Sequence, residues 1–114
     1  MITQKRRIGD IGEEFACQFL QEDGYTILER NFSCRFGEID IIARKGKCLV
    51  FIEVKTAYKG NSLFAQENIN YSKIRKFIKA IEVYMMMRKV QPDQAWQMDA
   101  LLVKLDSVGL SPEI

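Results

Sequence analysis

The chain has 114 residues, a net charge of +2 and 47% hydrophobic residues. That is one domain's length with apolar material for a real core, which excludes a disordered or fibrous chain, and so small a charge gives only a weak bulk pull toward nucleic acid. Histidine is absent, which excludes zinc sites of the Cys/His type, histidine general bases and Ser-His-Asp chemistry.

The first helix is expected over Thr3 to Gln21. Ile8, Ile11, Phe15, Phe19 and Leu20 recur at helical spacing, and Gly24 is a natural stop. Lys5, Arg6 and Arg7 are soon followed by Gly9, Asp10, Glu13 and Glu14, so no secretory apolar segment is expected. No apolar run approaches the ~18 residues of a membrane span. Projected at about 100° per residue, Glu13 falls at the margin of the apolar face and Glu14 nearer to solvent. On position alone Glu13 reads either as a solvated helix charge or as an acid leaning over whatever the helix packs on.

Tyr25 to Phe32, Gly37 to Arg44 and Cys48 to Thr56 read as three strands, with Arg44-Lys45-Gly46-Lys47 turning the second into the third. Cross-strand partners in such a hairpin share a face. With Lys45 to Cys48 as the loop, Asp40 falls opposite Glu53. With Lys45-Gly46 alone as the turn, Asp40 falls opposite Phe51 and Glu38 opposite Glu53. Both registers put Asp40, Glu53 and Lys55 on one face, whereas a three-residue loop would send Asp40 to the other.

Ala57 to Asn70, with Gly60, Asn61 and Ser62, is expected to be a loop. A second helix is predicted over Glu67 to Lys89, with Ile74, Phe77, Ile78, Ile81 and Met85 as its buried face and Lys73, Arg75, Lys76 and Lys79 on other faces. Pro92 ends that region, and Trp96 to Leu105 reads as a last strand. The order αβββαβ, with an early hairpin and a late helical crossover, fits a single α/β domain spanning residues 1–114, with a mixed sheet flanked by helices. Cys17, Cys34 and Cys48 form no CxxC pair and read as buried, reduced thiols of a cytoplasmic protein.

The chemistry concentrates in the hairpin. Gly37-Glu38-Ile39-Asp40 and Glu53-Val54-Lys55 carry three acids and a lysine among Ile41, Ile42, Leu49, Val50, Phe51 and Ile52. Carboxylates in such surroundings are costly unless a cation or dense hydrogen bonding compensates them. Hard oxygen ligands point to Mg²⁺ or Mn²⁺. Asp40 and Glu53 are the candidate ligands, with the Val54 carbonyl beside them and Glu13 able to complete the shell. Lys55 would orient or deprotonate water, or offset charge on phosphorus, which together with a metal suits phosphodiester hydrolysis. The plain alternative is a salt bridge of Lys55 with Glu53 or Asp40 on an ordinary sheet.

Gly12-Glu13, Gly24-Tyr25-Thr26-Ile27-Leu28-Glu29-Arg30-Asn31, Gly37-Glu38-Ile39-Asp40-Ile41-Ile42-Ala43 and Leu49-Val50-Phe51-Ile52-Glu53-Val54-Lys55-Thr56 closely resemble the bacterial YraN-like family of small uncharacterised proteins. That family looks like a member of the PD-(D/E)xK nuclease superfamily and is similar in its core to archaeal Holliday junction resolvases. The resemblance implies a restriction-endonuclease-like αβββαβ core and a Mg²⁺-dependent nuclease site. In its terms Asp40 is the motif aspartate, Glu53 and Lys55 are the E-x-K, and Glu13 is the helix-one glutamate. Glu38 would be a ligand, a supporting acid or the partner of an arginine, and Lys73 a phosphate contact. Two departures stand out: Thr56-Ala57 where the family often has Thr-Arg, and Trp96-Gln97-Met98-Asp99, which keeps an aspartate and loses an arginine.

The expected function is a metal-dependent DNA endonuclease acting on branched or structured DNA, with Lys73, Lys76, Lys79 and Arg7 holding phosphates, and a homodimer supplying two sites for two strands. The rival is a nucleic-acid-binding module that keeps the fold without turnover.

Overall fold

The structure is a computed structural model that describes the backbone of residues 4–58 and 70–105 and the side chains of 6–57 and 70–105. Its elements are α1 (Gln4–Glu22), β1 (Thr26–Cys34), β2 (Gly37–Lys45), β3 (Cys48–Tyr58), α2 (Tyr71–Met87) and β4 (Trp96–Leu105). The sheet order is β1-β2-β3-β4, antiparallel through the first three strands and parallel between β3 and β4. This is the expected αβββαβ arrangement, an α/β fold with a mixed sheet flanked by two helices. Among the described residues no helix is long and apolar enough to cross a membrane.

The central strands are apolar on both faces because a helix covers each. Under α1, Ile8, Ala16, Cys17 and Leu20 pack on Ile41, Ala43, Val50 and Ile52. Under α2, Ala80, Ile81 and Tyr84 pack on Phe32, Ile39, Ile42, Leu49 and Phe51. Strands covered twice read as near-continuous hydrophobic runs, as Ile39 to Ala43 and Leu49 to Val54 do.

Several boundaries differ from expectation. Helix α2 begins at Tyr71 because Asn70, extended at φ −123 and ψ 112, caps it by accepting the N–H groups of Ser72 and Lys73. It ends at Met87, with Arg88 as C-cap and Lys89 at φ 53. The predicted start at Glu67 lies outside the described residues, as does most of the expected loop, whose first residues Ala57 and Tyr58 belong to β3. Of the apolar stripe expected on α1, Phe19 is largely exposed. On α2 the most buried aromatic is Tyr84, whose ring meets Phe32 and Phe51 edge-on at 5.3 and 5.5 Å. Cys17 is buried, but Cys34 and Cys48 are only half-buried; all three are free thiols.

The β2–β3 turn has two residues, as in one expected version, but they are a different pair. Lys45 still pairs with Cys48, so Gly46-Lys47 alone turn the chain, with Gly46 at φ +59. The register, Arg44 opposite Leu49 and Ile41 opposite Ile52, is nevertheless the one that would bring Asp40 opposite Glu53.

Helix α1 lies close on β3 because of Gly12. A Cβ there would collide with the Thr56 side chain, coming within 2.8 Å of its Cβ. This close approach lowers the next residue, Glu13, onto the sheet. Gly12→Ala should therefore destabilise the protein by about 1–3 kcal/mol through overpacking, despite alanine's better helix propensity. Urea denaturation checks this, and adding Thr56→Ala should restore part of the loss.

Candidate functional site

The β1–β2 ladder shifts register between Ile27 and Glu29, and further along, at the level of Asn31 and Asp40, the alternation of faces breaks in both strands. β1 and β2 pair as Arg30 with Ile41 and as Phe32 with Ile39, which brackets Asn31 and Asp40. Asn31 has φ 55, a left-handed conformation that asparagine tolerates better than most residues. Across this level the alternation of faces shifts. Arg30 reaches acids of α1, yet Phe32 is buried under α2. Ile41 is buried under α1, yet both Ile39 and Ile42 are buried under α2. The expectation that alternation puts Asp40 on one face with Glu53 and Lys55 is met only for Glu53 and Lys55, because the backbone turns over at Asn31 and Asp40.

At the break Asp40 turns toward β3. Its Oδ2 accepts the Val54 N–H at 2.7 Å. Continuing the register would set Ile39 opposite Val54, so a side-chain carboxylate takes over bonding that belongs to a ladder carbonyl. The bond fixes Asp40 beside the peptide between Glu53 and Lys55. Burial, above all, raises the Asp40 pKa from its ordinary value; the Val54 bond works against this, Glu38 and Glu53 raise it further, and Lys55 lowers it.

Glu13 approaches from α1 and is only 9% exposed. Its Oε1 lies 3.5 Å from Arg30 Nε but accepts no hydrogen bond from any described residue. Desolvation raises its pKa first and the Asp40 charge second, while Arg30 and a hydrogen bond from Asn31 pull it back. Arg30 is shared, since its Nη1 also donates to Glu14 Oε2 at 3.0 Å.

On the α2 side, Glu53 Oε1 and Lys55 Nζ are 3.4 Å apart. Both line a cavity of about 560 Å³, together with Glu38, Asp99, Lys73 and Lys76. Asp40 and Glu13 are not part of that lining. The motif residues therefore straddle a seam: Glu13 under α1, Glu53 and Lys55 facing α2, and Asp40 between them. Lys79 lies over the Phe36 ring at 5.3 Å, and Arg7 is exposed on α1, outside the cavity lining.

The expected ligand set is not drawn into one cage. Among the described residues no three His, Cys, Asp or Glu side chains are grouped to hold a metal. The reason is local compensation: Glu13 is held toward Arg30, and Glu53 toward Lys55. The donor chemistry still fits a magnesium-type ion, which takes one or two carboxylates, keeps several waters and is completed by substrate phosphate. The buried Glu13 Oε1 without a hydrogen bond and the upward-shifted acids Glu13 and Asp40 mark a place short of positive charge.

Sequence reasoning gave no role to Arg30 or Asn31 and left Asp99 out of the site. Asn31 was findable, as an asparagine inside an otherwise strand-like run. Arg30 was not, because its partners Glu13 and Glu14 lie on another element.

The profile of the uncharacterised protein family UPF0102 matches residues 12–106. A UPF0102 protein of Helicobacter hepaticus is 50% identical over 99 residues, covering 87% of this chain and 86% of its own. One from Clostridium kluyveri is 46% identical over 92 residues, covering 79% and 74%. Among solved structures, the chain is similar to a fdxN element excision controlling factor protein from Anabaena variabilis, at 18% identity and a TM-score of 0.39, over 85% of this chain and 91% of that one. A likeness that loose carries no argument about function.

The electrostatics set a direction for stability. Unfolded Glu13 and Asp40 ionise near 4.5 and 3.8, and their folded forms ionise higher. The folded state then binds more protons in between, so stability from these groups is present in acid and is lost as pH rises through the raised values. Glu13→Gln and Asp40→Asn should each gain stability relative to the parent protein between about pH 4 and pH 7, read by denaturant titration in EDTA. Asp40→Asn keeps an oxygen for the Val54 N–H. Asp40→Ala orphans that donor and should cost about 1–3 kcal/mol.

Proposed function

The chain belongs to the uncharacterised protein family UPF0102, the YraN-like family its sequence blocks resemble, and from that premise and the site's geometry we propose that it is a metal-dependent DNA endonuclease. The observation that carries the reading is the Asp40–Val54 hydrogen bond. It holds a half-buried carboxylate against the Glu53-Val54-Lys55 peptide, whose two charged side chains line a cavity with Lys73 and Lys76.

Asp40 and Glu53 would hold the divalent ion, with the Val54 carbonyl at the same strand edge and Glu13 as a reserve of negative charge. When bound, the ion lowers the pKa of a water and offsets charge on the phosphoryl oxygens. The chain's own groups do the rest. Lys55, paired with Glu53 at 3.4 Å, presents an ammonium group to a phosphate entering the cavity. Lys73 and Lys76 line the facing wall on α2 and hold the strand through its phosphates, which makes binding fall steeply with salt. Arg30 keeps Glu13 and Glu14 from repelling the acids behind them. Cys17, Cys34 and Cys48 are free thiols, in keeping with a reducing compartment, and the cytoplasm is the location we propose.

A second reading, a nucleic-acid-binding module without turnover, is favoured by one observation: among the described residues no three ligands converge. One assay separates the two. The protein is incubated with plasmid, four-way junction and single strands, in Mg²⁺, Mn²⁺ or EDTA. Cutting that is lost in EDTA and in Asp40→Asn, with folding intact, supports the enzyme. Retention of DNA without cutting in every metal supports the module. Lys55→Arg should keep partial activity if the lysine acts through its charge, and be nearly dead if it accepts a proton, because the guanidinium pKa is too high.

A further inference from the structure

Phosphate chemistry explains the acids and lysines around the cavity, but not its apolar wall. Phe36, Ile74, Phe77 and Met98 line the same space of about 560 Å³, a volume within the range of roughly 300–1,000 Å³ that encloses small organic ligands. Phe36 sits in the Arg35-Phe36 turn that joins β1 to β2. Two cations lie against its ring, the Arg35 guanidinium at 4.7 Å and the Lys79 ammonium at 5.3 Å. Both belong to long, exposed side chains, and the ring itself is half-buried. An aromatic ring with exposed cations against it, beside further lysines, is the combination that binds single strands: bases stack on rings and phosphates meet the charges.

The geometry also selects among nucleic acids. Each base inside a duplex is covered on both faces by its neighbours and held at its edge by its partner, so it cannot enter an apolar cavity. An unstacked base can, and the cost of exposing it is least where it is already unpaired. We infer that the cavity takes an unpaired nucleotide of a DNA strand, its base against Phe36 and the neighbouring apolar wall. The flanking phosphates fall to Arg35, Lys79 and Lys73. This rests on the nuclease reading and narrows it, because the substrate class becomes DNA carrying an unstacked nucleotide beside the bond to be cut. One cation gives up the Phe36 face to the base and carries its charge to the adjacent phosphate.

The test uses the full chain, with Ca²⁺ in place of Mg²⁺ so that binding is read without cutting. Two labelled DNAs are compared, a fully paired duplex and the same duplex with one unpaired 2-aminopurine. Tighter binding of the second, with the 2-aminopurine fluorescence quenched in the complex, is the expected result. Phe36→Ala should weaken binding of the unpaired substrate about tenfold and relieve the quenching, with little change for the paired duplex. Phe36→Trp should retain both signals. Equal binding of the two DNAs by the parent protein, or an equal loss on both in Phe36→Ala, overturns this inference while leaving the nuclease reading intact. No binding of either DNA overturns both.

Discussion

Asp40 gives its carboxylate to the Val54 N–H at 2.7 Å, and the arrangement of the site follows from that bond. A backbone donor inside a sheet must be satisfied, and here the neighbouring strand satisfies it with a side chain because the backbone has turned over. The turnover needs Asn31 on one strand and Asp40 on the other, at the same level of the ladder. A half-buried acid is thereby fixed in the sheet rather than at the tip of a flexible loop. Strand-borne groups of this kind hold their positions better than loop-borne ones.

The cost of that placement is electrostatic. Asp40 is desolvated and has Glu38 and Glu53 for neighbours. Glu13, lowered onto the sheet by the bare backbone of Gly12, faces Asp40 from the other side. Arg30 compensates part of this charge and Lys55 another part, each next to its own acid. These pairings hold the acids apart in the absence of a further cation, which is why they form a seam rather than a cage. They also leave Glu13 Oε1 with no hydrogen bond from a described residue, a deficit that a divalent ion or a phosphate-bound cation would relieve.

Much of the fold was legible because it rests on patterns with a physical period. The apolar runs at Ile39 to Ala43 and Leu49 to Val54 mark strands covered on both faces, and Trp96 to Leu105 was bounded as it is found. The hairpin register was also within reach, since only a few loop lengths keep Asp40 and Glu53 together. What could not be read was non-local. The face switch at Asn31 and Asp40 defeats any argument from simple alternation, and Arg30 matters only because α1 folds back over β1. The α2 boundary moved because Asn70 spends its side chain on the Ser72 and Lys73 N–H groups, a capping choice that competes with helix extension. Tyr84 was hidden because a phenol ring wedged between Phe32 and Phe51 behaves as core, whatever its hydroxyl suggests.

The central claim is that Asp40 and Glu53, on adjacent strands, share a divalent cation at this seam. Anomalous scattering from crystals grown with Mn²⁺ tests it most directly. A peak bonded to oxygens of both residues, absent from Asp40→Asn crystals, is the expected result. No peak at the seam in crystals at saturating Mn²⁺, with Lys55 still paired to Glu53, would contradict it.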